Sequence, residues 1–220
     1  MLDEALAWAS SGQLGPVATG QIFCWSTQAL LAVADFQRAA EWIEGIESSG
    51  IGGIPGDCRI HRAEVFRALG QHDGALREAL DARAEIQAID LLHAGIAHYE
   101  LGMIHLVHRD LDLAEQSFRH AQACGAHSQP GLALLQLARG DTAGAATSIH
   151  AALEDASHDE LRRVPLLSAA VQIALGRGDN AAAARHVRDL ETIAGRFGSA
   201  GLLAASVQAR ARVTARITYN

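Results

Sequence analysis

The chain contains no lysine: all 18 of its basic residues are arginine. That absence excludes Schiff-base chemistry and the lysine-dependent phosphate loop of Walker type. Cysteine is scarce too. Cys24, Cys58 and Cys124 form no CxxC pair and cannot all be bridged, which leaves reduced thiols packed as small hydrophobes. Positive charge is in short supply, with a net charge of −7 and a pI near 5.8, so the clustered basic surface that phosphate backbones require is missing. Direct nucleic-acid binding is not expected. No apolar run approaches the ~18 residues of a membrane-spanning helix, and Asp3 and Glu4 stand where a signal peptide would be basic. The reading is a cytoplasmic protein without a membrane partner. No stretch alternates long enough to argue for a sheet.

What the chain has is alanine. Apolar residues make up 49% of it and aromatics only 5%; the surplus is the best helix former, small enough to let helices approach closely. Alanine also recurs in register, as Ala39-x3-Ile43-x2-Ile46, Ala75-x3-Ala79-x2-Ala82, Ala114-x3-Phe118-x2-Ala121, Ala145-x3-Ile149-x2-Ala152 and Ala183-x3-Val187-x2-Leu190. The leading alanines stand 36, 39, 31 and 38 residues apart. In the third unit the pattern extends back through His98-x2-Leu101-Gly102-x2-His105. That is the skeleton of a tetratricopeptide (TPR) repeat, a two-helix unit with a period of roughly 34 residues that stacks on its neighbours. Asp35, Asp73, Asp110, Asp141 and the Asp179-Asn180 pair precede or open the second helices as caps. Gly70, Gly140 and Gly178 stand where a first helix must end. Pro16, Pro55, Pro130 and Pro165 fall at or near the starts of first helices.

The expected fold is all-α: a TPR-like α-α superhelix, a right-handed solenoid of about five helix pairs plus end helices, in a single domain over residues 1–220. The units run approximately 17–48, 57–88, 91–124, 130–156 and 159–196, with a terminal helix over 200–217. Helices are predicted near 2–10, 17–33, 36–48, 57–69, 73–88, 91–108, 111–124, 130–139, 142–156, 159–176, 180–196 and 200–217. Two glycine-rich stretches, Ser48 to Gly56 and Gly195 to Gly201, follow helices instead of strands, so they read as connections and not as dinucleotide loops.

In a TPR stack the first helices line the concave surface. The register then presents Cys24, Gln28 and Leu31 from the first unit, Ile60, Glu64 and Arg67 from the second, and Tyr99 and Met103 from the third. Gln28, Ile60, Glu64, Arg67, Tyr99 and Met103 are the candidate groove residues for a peptide or small ligand. Tyr99 suits recognition best, with an amphipathic ring and a hydroxyl. For Met103, packing between units competes with a groove role, and for Glu64 and Arg67 a solvated ion pair does. The eleven histidines contain no HExxH and no three convergent donors at ligand spacing, so no metal is expected. His98 and His105 take places where packing aromatics usually stand. No GxSxG elbow, no Cys–His motif and no distinctive carboxylate pair suggests catalysis, and no cofactor is expected.

Three stretches narrow the resemblance: Gly12-Gln-Leu-Gly-Pro-Val-Ala-Thr-Gly-Gln-Ile-Phe-Cys24, Pro55-Gly-Asp-Cys-Arg-Ile-His-Arg-Ala-Glu-Val-Phe-Arg-Ala-Leu-Gly70 and Gln129-Pro-Gly-Leu-Ala-Leu-Leu-Gln-Leu-Ala-Arg-Gly140. They resemble the helical-repeat portion of actinobacterial LuxR-type transcriptional regulators, related in architecture to the MalT-like group. The likeness runs from about residue 12 to about residue 210. It implies a region that senses an inducer or partner and controls a DNA-binding domain elsewhere. Neither a basic recognition helix nor a nucleotide-binding loop can be read within residues 1–220, so neither is expected of this chain. The expectation is the sensor and scaffold part alone, as a fragment or as a stand-alone relative, without direct nucleic-acid binding.

The leading functional reading is a non-enzymatic scaffold for protein–protein interaction, holding a peptide segment or another domain in the groove. A small-molecule inducer bound in the same groove is the alternative. Leu202, Leu203, Val207 and Val213 give the terminal helix an apolar side, with Gln208, Arg210, Arg212 and Arg216 opposite and Ala204, Ala205 and Ile217 forming a strip. This end is expected either to cap the stack or to form a weak homodimer.

Overall fold

A computed structural model describes residues 2–11, 13–48 and 56–218 of the chain. Twelve helices and no strand occur among them: α1 (Leu2–Ser10), α2 (Pro16–Ala32), α3 (Phe36–Ser48), α4 (Gly56–Ala68), α5 (His72–Ile86), α6 (Leu91–His108), α7 (Leu111–Ala123), α8 (Gly131–Ala138), α9 (Thr142–Asp155), α10 (Glu160–Gly176), α11 (Asn180–Phe197) and α12 (Ala200–Thr218). Every predicted helix is present, within two residues at either end. The connection over 49–55, which includes Pro55, lies outside the described residues.

The alanine register sets the packing. Ala39, Ala75, Ala114, Ala145 and Ala183 are all fully buried, and Ile43, Ala79, Phe118, Ile149 and Val187, one turn later, are at most 4% exposed. Small residues at these positions bring backbones together, and the larger ones fill the remaining space. Gly95 shows the limit on α6: an added Cβ would lie 2.8 Å from Ala126 Cβ and 2.9 Å from Cys124 Cβ.

The hairpin turns share one conformation. Ala34, Gly70, Arg109, Gly140 and Gly178 have φ of 55°, 77°, 67°, 87° and 74°. This left-handed step lets the chain reverse after a helix, and glycine adopts it without steric penalty. Ala34 and Arg109 adopt it against the preference of a side-chain-bearing residue. Replacing Arg109 or Ala34 by glycine is therefore expected to stabilise the protein by roughly 0.5–1 kcal/mol, and Gly70→Ala to destabilise it by a similar amount; urea unfolding midpoints check both signs.

The caps follow the sequence in part. Asp35, Asp141 and Asp179 accept from the backbone N–H three residues on, at 3.4, 2.8 and 2.8 Å. Asp90 and Asp159 do the same for α6 and α10. Asp73 does not cap: Gln71 takes that position and Asp73 sits inside the first turn, where its charge still meets the helix dipole favourably. Pro165 lies inside α10, in its second turn, and not at the helix start.

Contacts group the chain into two compact units, residues 1–104 with 120–127, and residues 105–119 with 128–220. The first is built on Phe23, Leu30, Trp42, Ile43 and Val65, with Phe23 and Trp42 packed edge to face at 5.6 Å, and continues through Ala63, Ala75, Ala79, Leu101 and Ile104. Within its α4–α5 hairpin, Arg59 and the buried Arg62 both reach the buried Glu78, at 2.9 and 3.2 Å. The second unit packs Ala133, Ala145, Ile149, Leu166, Ala169, Ala170 and Ile173 across α8, α9 and α10. On α12 the buried side is Leu202, Ser206, Ala209 and Val213. Leu203 and Val207 point outward, 44% and 66% exposed, so the four apolar residues do not share one side of the helix. Spacing of four and seven from residue 202 selects the inward face; residues 203 and 207 fall one step round the helix.

Candidate functional site

The polar centre of the first unit is made by α2, α4 and α6. On α4, His61, Glu64 and Arg67 stand three residues apart and so share one side of the helix. From α2, Cys24 Sγ comes within 3.5 Å of His61 Nδ1. From α6, Glu100 receives Arg67, whose Nε donates at 2.8 Å and whose Nη2 donates at 3.4 Å to the two carboxylate oxygens. Tyr99 lies close enough to Arg67 to interact with it electrostatically.

This arrangement is more buried than a surface ion pair. The Glu100 side chain is 4% exposed and that of Arg67 18%. A bidentate guanidinium–carboxylate pair can offset much of the desolvation of two charges, and here it ties α4 to α6. Burial pulls the Arg67 guanidinium down, but the Glu100 carboxylate, its hydrogen bonds and the nearby Glu64 outweigh it and hold the guanidinium firmly charged.

Glu64 is the unusual member. It keeps part of its surface, yet enough protein surrounds its carboxyl that burial, aided by the Glu100 charge, pushes its pKa up to about 7, against the pull of Arg67 and His61. It makes no ion pair at contact distance among the described residues. At neutral pH the site thus holds a carboxyl poised between acid and anion, beside a fixed cation and a thiol–imidazole pair.

Of the residues expected in the groove, Glu64, Arg67 and Tyr99 come together here. Gln28 is exposed one turn beyond Cys24 on α2, and Met103 is half-buried one turn beyond Tyr99 on α6. Ile60 is corrected: it is 2% exposed and packs with Ala82, Ile86, Ala94 and Ala97, so it belongs to the core. Cys24 is a free, partly buried thiol, and an imidazole stands beside it. His61 and Glu100 were missed as site residues. The steps from His61 to Glu64 to Arg67 would have placed His61, but nothing in the α6 pattern separates Glu100 from a surface acid.

The other histidines assemble no comparable site. His98 and His120 stack with centroids 5.0 Å apart, and burial, then His120, then Arg83 lower the His98 pKa, which keeps the ring neutral as a packing aromatic. No group of three or more His, Cys, Asp or Glu residues arranged to hold a metal is found among the described residues, and no helix among them is long and apolar enough to cross a membrane.

The second unit has a separate cleft of about 220 Å³ between α9, α10 and α11. Its lining combines the apolar Ile149, Leu153 and Ile173 with His150, Arg177, Arg185 and His186 and one acid, Asp179. Burial, with Arg185 and His150 adding to it, outweighs Asp189 and Asp179 and lowers the His186 pKa; its Nδ1 is buried without a hydrogen-bond partner. Compared with family models, with curated proteins and with solved structures, the chain matches none.

Proposed function

We propose that the chain is a non-enzymatic, TPR-like interaction module, a concave scaffold of the kind that forms the repeat region of LuxR-type, MalT-like regulators, and that its first unit receives a peptide segment of a protein partner. The observation that supports this most is the side shared by α2, α4 and α6. Tyr99 lies near Arg67 of the Arg67–Glu100 pair, Met103 follows one turn along α6 and Gln28 stands one turn beyond Cys24 on α2, so partly exposed aromatic, thioether and polar groups accompany the ionic centre on these three helices. Such a surface offers an aromatic anchor and an adaptable apolar contact, the features that dominate binding energy at interfaces. The ion pair serves as the frame that fixes them.

The experiment is selection of peptides from a displayed random library on the intact chain, followed by calorimetry against the wild type and Tyr99→Ala. Micromolar binders that lose at least tenfold in affinity with Tyr99→Ala support the reading. Binders indifferent to Tyr99, or no binder at all, overturn it. Sensing of a small-molecule inducer is the second reading, and the cleft of the second unit favours it. At about 220 Å³ that cleft lies below the roughly 300–1,000 Å³ of typical ligand pockets, so a compact anion with an apolar body is the ligand it suits.

A further inference from the structure

Cys24 and His61 sit on different helices, 37 residues apart in sequence, yet the sulfur and the imidazole nitrogen meet at 3.5 Å. This is hydrogen-bond distance for sulfur, and it is the spacing of an activated nucleophile and its base. Glu64 lies one turn from His61 on the same side of α4 and attracts its cationic form. Cys24 also keeps part of its surface open, whereas Cys58 is buried at 6% exposure. Cys124 is a free thiol and partly open, and serves as the internal comparison.

We infer that Cys24 is a reactive thiol that exchanges with small disulfides, with His61 as its proton acceptor, and that this marks the α2–α4–α6 surface covalently. In the exchange the Cys24 proton passes to His61 Nδ1, and the thiolate attacks one sulfur of a disulfide R–S–S–R. The bond from Cys24 to that sulfur forms as the old S–S bond breaks, and the second sulfur leaves as a thiolate that takes up the proton. Cys24 is oxidised to the mixed disulfide and one equivalent of R–SH is the reduced product. A low-molecular-weight thiol reverses the step, so the mark is reversible.

The imidazole matters because only the thiolate attacks. A thiol with a pKa near 8.5 is about 3% ionised at pH 7, so complete ionisation by an imidazole raises the reactive fraction by up to about thirtyfold, less the lower nucleophilicity of the more acidic thiol. A gain on the order of tenfold is the realistic expectation. The adduct would stand beside Gln28 on α2, but the reactivity itself does not depend on what the surface binds.

The test uses the intact chain, an excess of an aromatic disulfide and of oxidised glutathione as probes, and a short unstructured cysteine peptide as reference. Adducts are located by mass spectrometry after cleavage at arginine. One fast thiol, mapped to Cys24 and reacting about tenfold faster at pH 7 than both Cys124 and the reference peptide, is the result expected. Cys24→Ser must abolish the fast phase, and His61→Gln must slow it about tenfold with the helical spectrum intact. If His61→Gln does not fold, the comparison of Cys24 with the reference peptide in the wild type decides alone. A Cys24 that reacts no faster than the reference, or a folded His61→Gln protein that reacts at the wild-type rate, overturns the inference.

Discussion

Replacing Arg67 by alanine is expected to destabilise the protein by about 3–5 kcal/mol, or to prevent folding of the first unit, because it breaks a buried charge pair from one side. Glu100 would keep its carboxylate at 4% side-chain exposure with neither of its two guanidinium hydrogen bonds. Glu64 would lose the one cation on α4 that opposes its repulsion from Glu100, apart from whatever charge His61 carries. Arg67→Lys retains the charge but not the two-point geometry, and an intermediate loss is expected. Arg119 provides the contrast. Its guanidinium pairs with Glu115 one turn away on α7 but is 72% exposed, and such pairs contribute about 0.3–0.5 kcal/mol. Urea unfolding of Arg67→Ala and Arg119→Ala side by side should separate the two classes of ion pair; similar midpoints would mean that Arg67 is solvated.

The second large effect is expected from Glu64→Gln, and its sign depends on pH. The folded protein holds the Glu64 proton up to about pH 7, while an unperturbed glutamate releases it near 4.5. Between these values the folded state binds more protons than the unfolded state, so the contribution to stability, complete below about 4.5, is lost as the pH rises through 7. Above pH 7 the ionised carboxylate is a burden of on the order of 2–3 kcal/mol. A neutral glutamine of the same shape removes that burden. Glu64→Gln should therefore match the wild type near pH 5 and exceed it in stability at pH 8. His98, His105 and His186 work in the opposite direction below their ordinary value, because burial lowers their pKa values. The difference between wild type and variant cancels their part and isolates Glu64. A variant equally stable or less stable at pH 8 would contradict the burial of this carboxyl.

How much of this was legible in the sequence divides along a physical line. Helix position and buried register are local properties, fixed by spacing, caps and turns within some forty residues. The five alanines predicted at helix contacts are all fully buried for that reason. The left-handed turns were legible where glycine marks them, at residues 70, 140 and 178, and invisible at Ala34 and Arg109, whose side chains argue against the conformation they adopt. Asp73 failed as a cap because α5 begins at His72, with Gln71 at the cap position, so the acid falls inside the first turn.

The candidate site was legible to one helix at a time. Spacing put Glu64 and Arg67 on the same side of α4, but it also put Ile60 there, and only packing against Ala82, Ile86, Ala94 and Ala97 shows that this isoleucine turns into the core. The partners of the pairings come from elsewhere: Glu100 from α6 for Arg67, and Cys24 from α2 for His61. Neither pairing leaves a sequence signature, because the separations of 33 and 37 residues are set by helix packing and not by any motif. A cysteine read as a small hydrophobe and a histidine read as one of eleven become a chemical pair only when the two helices are in place.

The most direct measurement of the central claim is a nuclear magnetic resonance titration of the isotopically labelled chain with a selected peptide. Shifts concentrated at the amides of Gln28, Glu64, Tyr99 and Met103, saturating together at one affinity, are the result this account predicts. Shifts confined to the cleft lined by Ile149, Ile173 and His186, with α2, α4 and α6 unmoved, would contradict it.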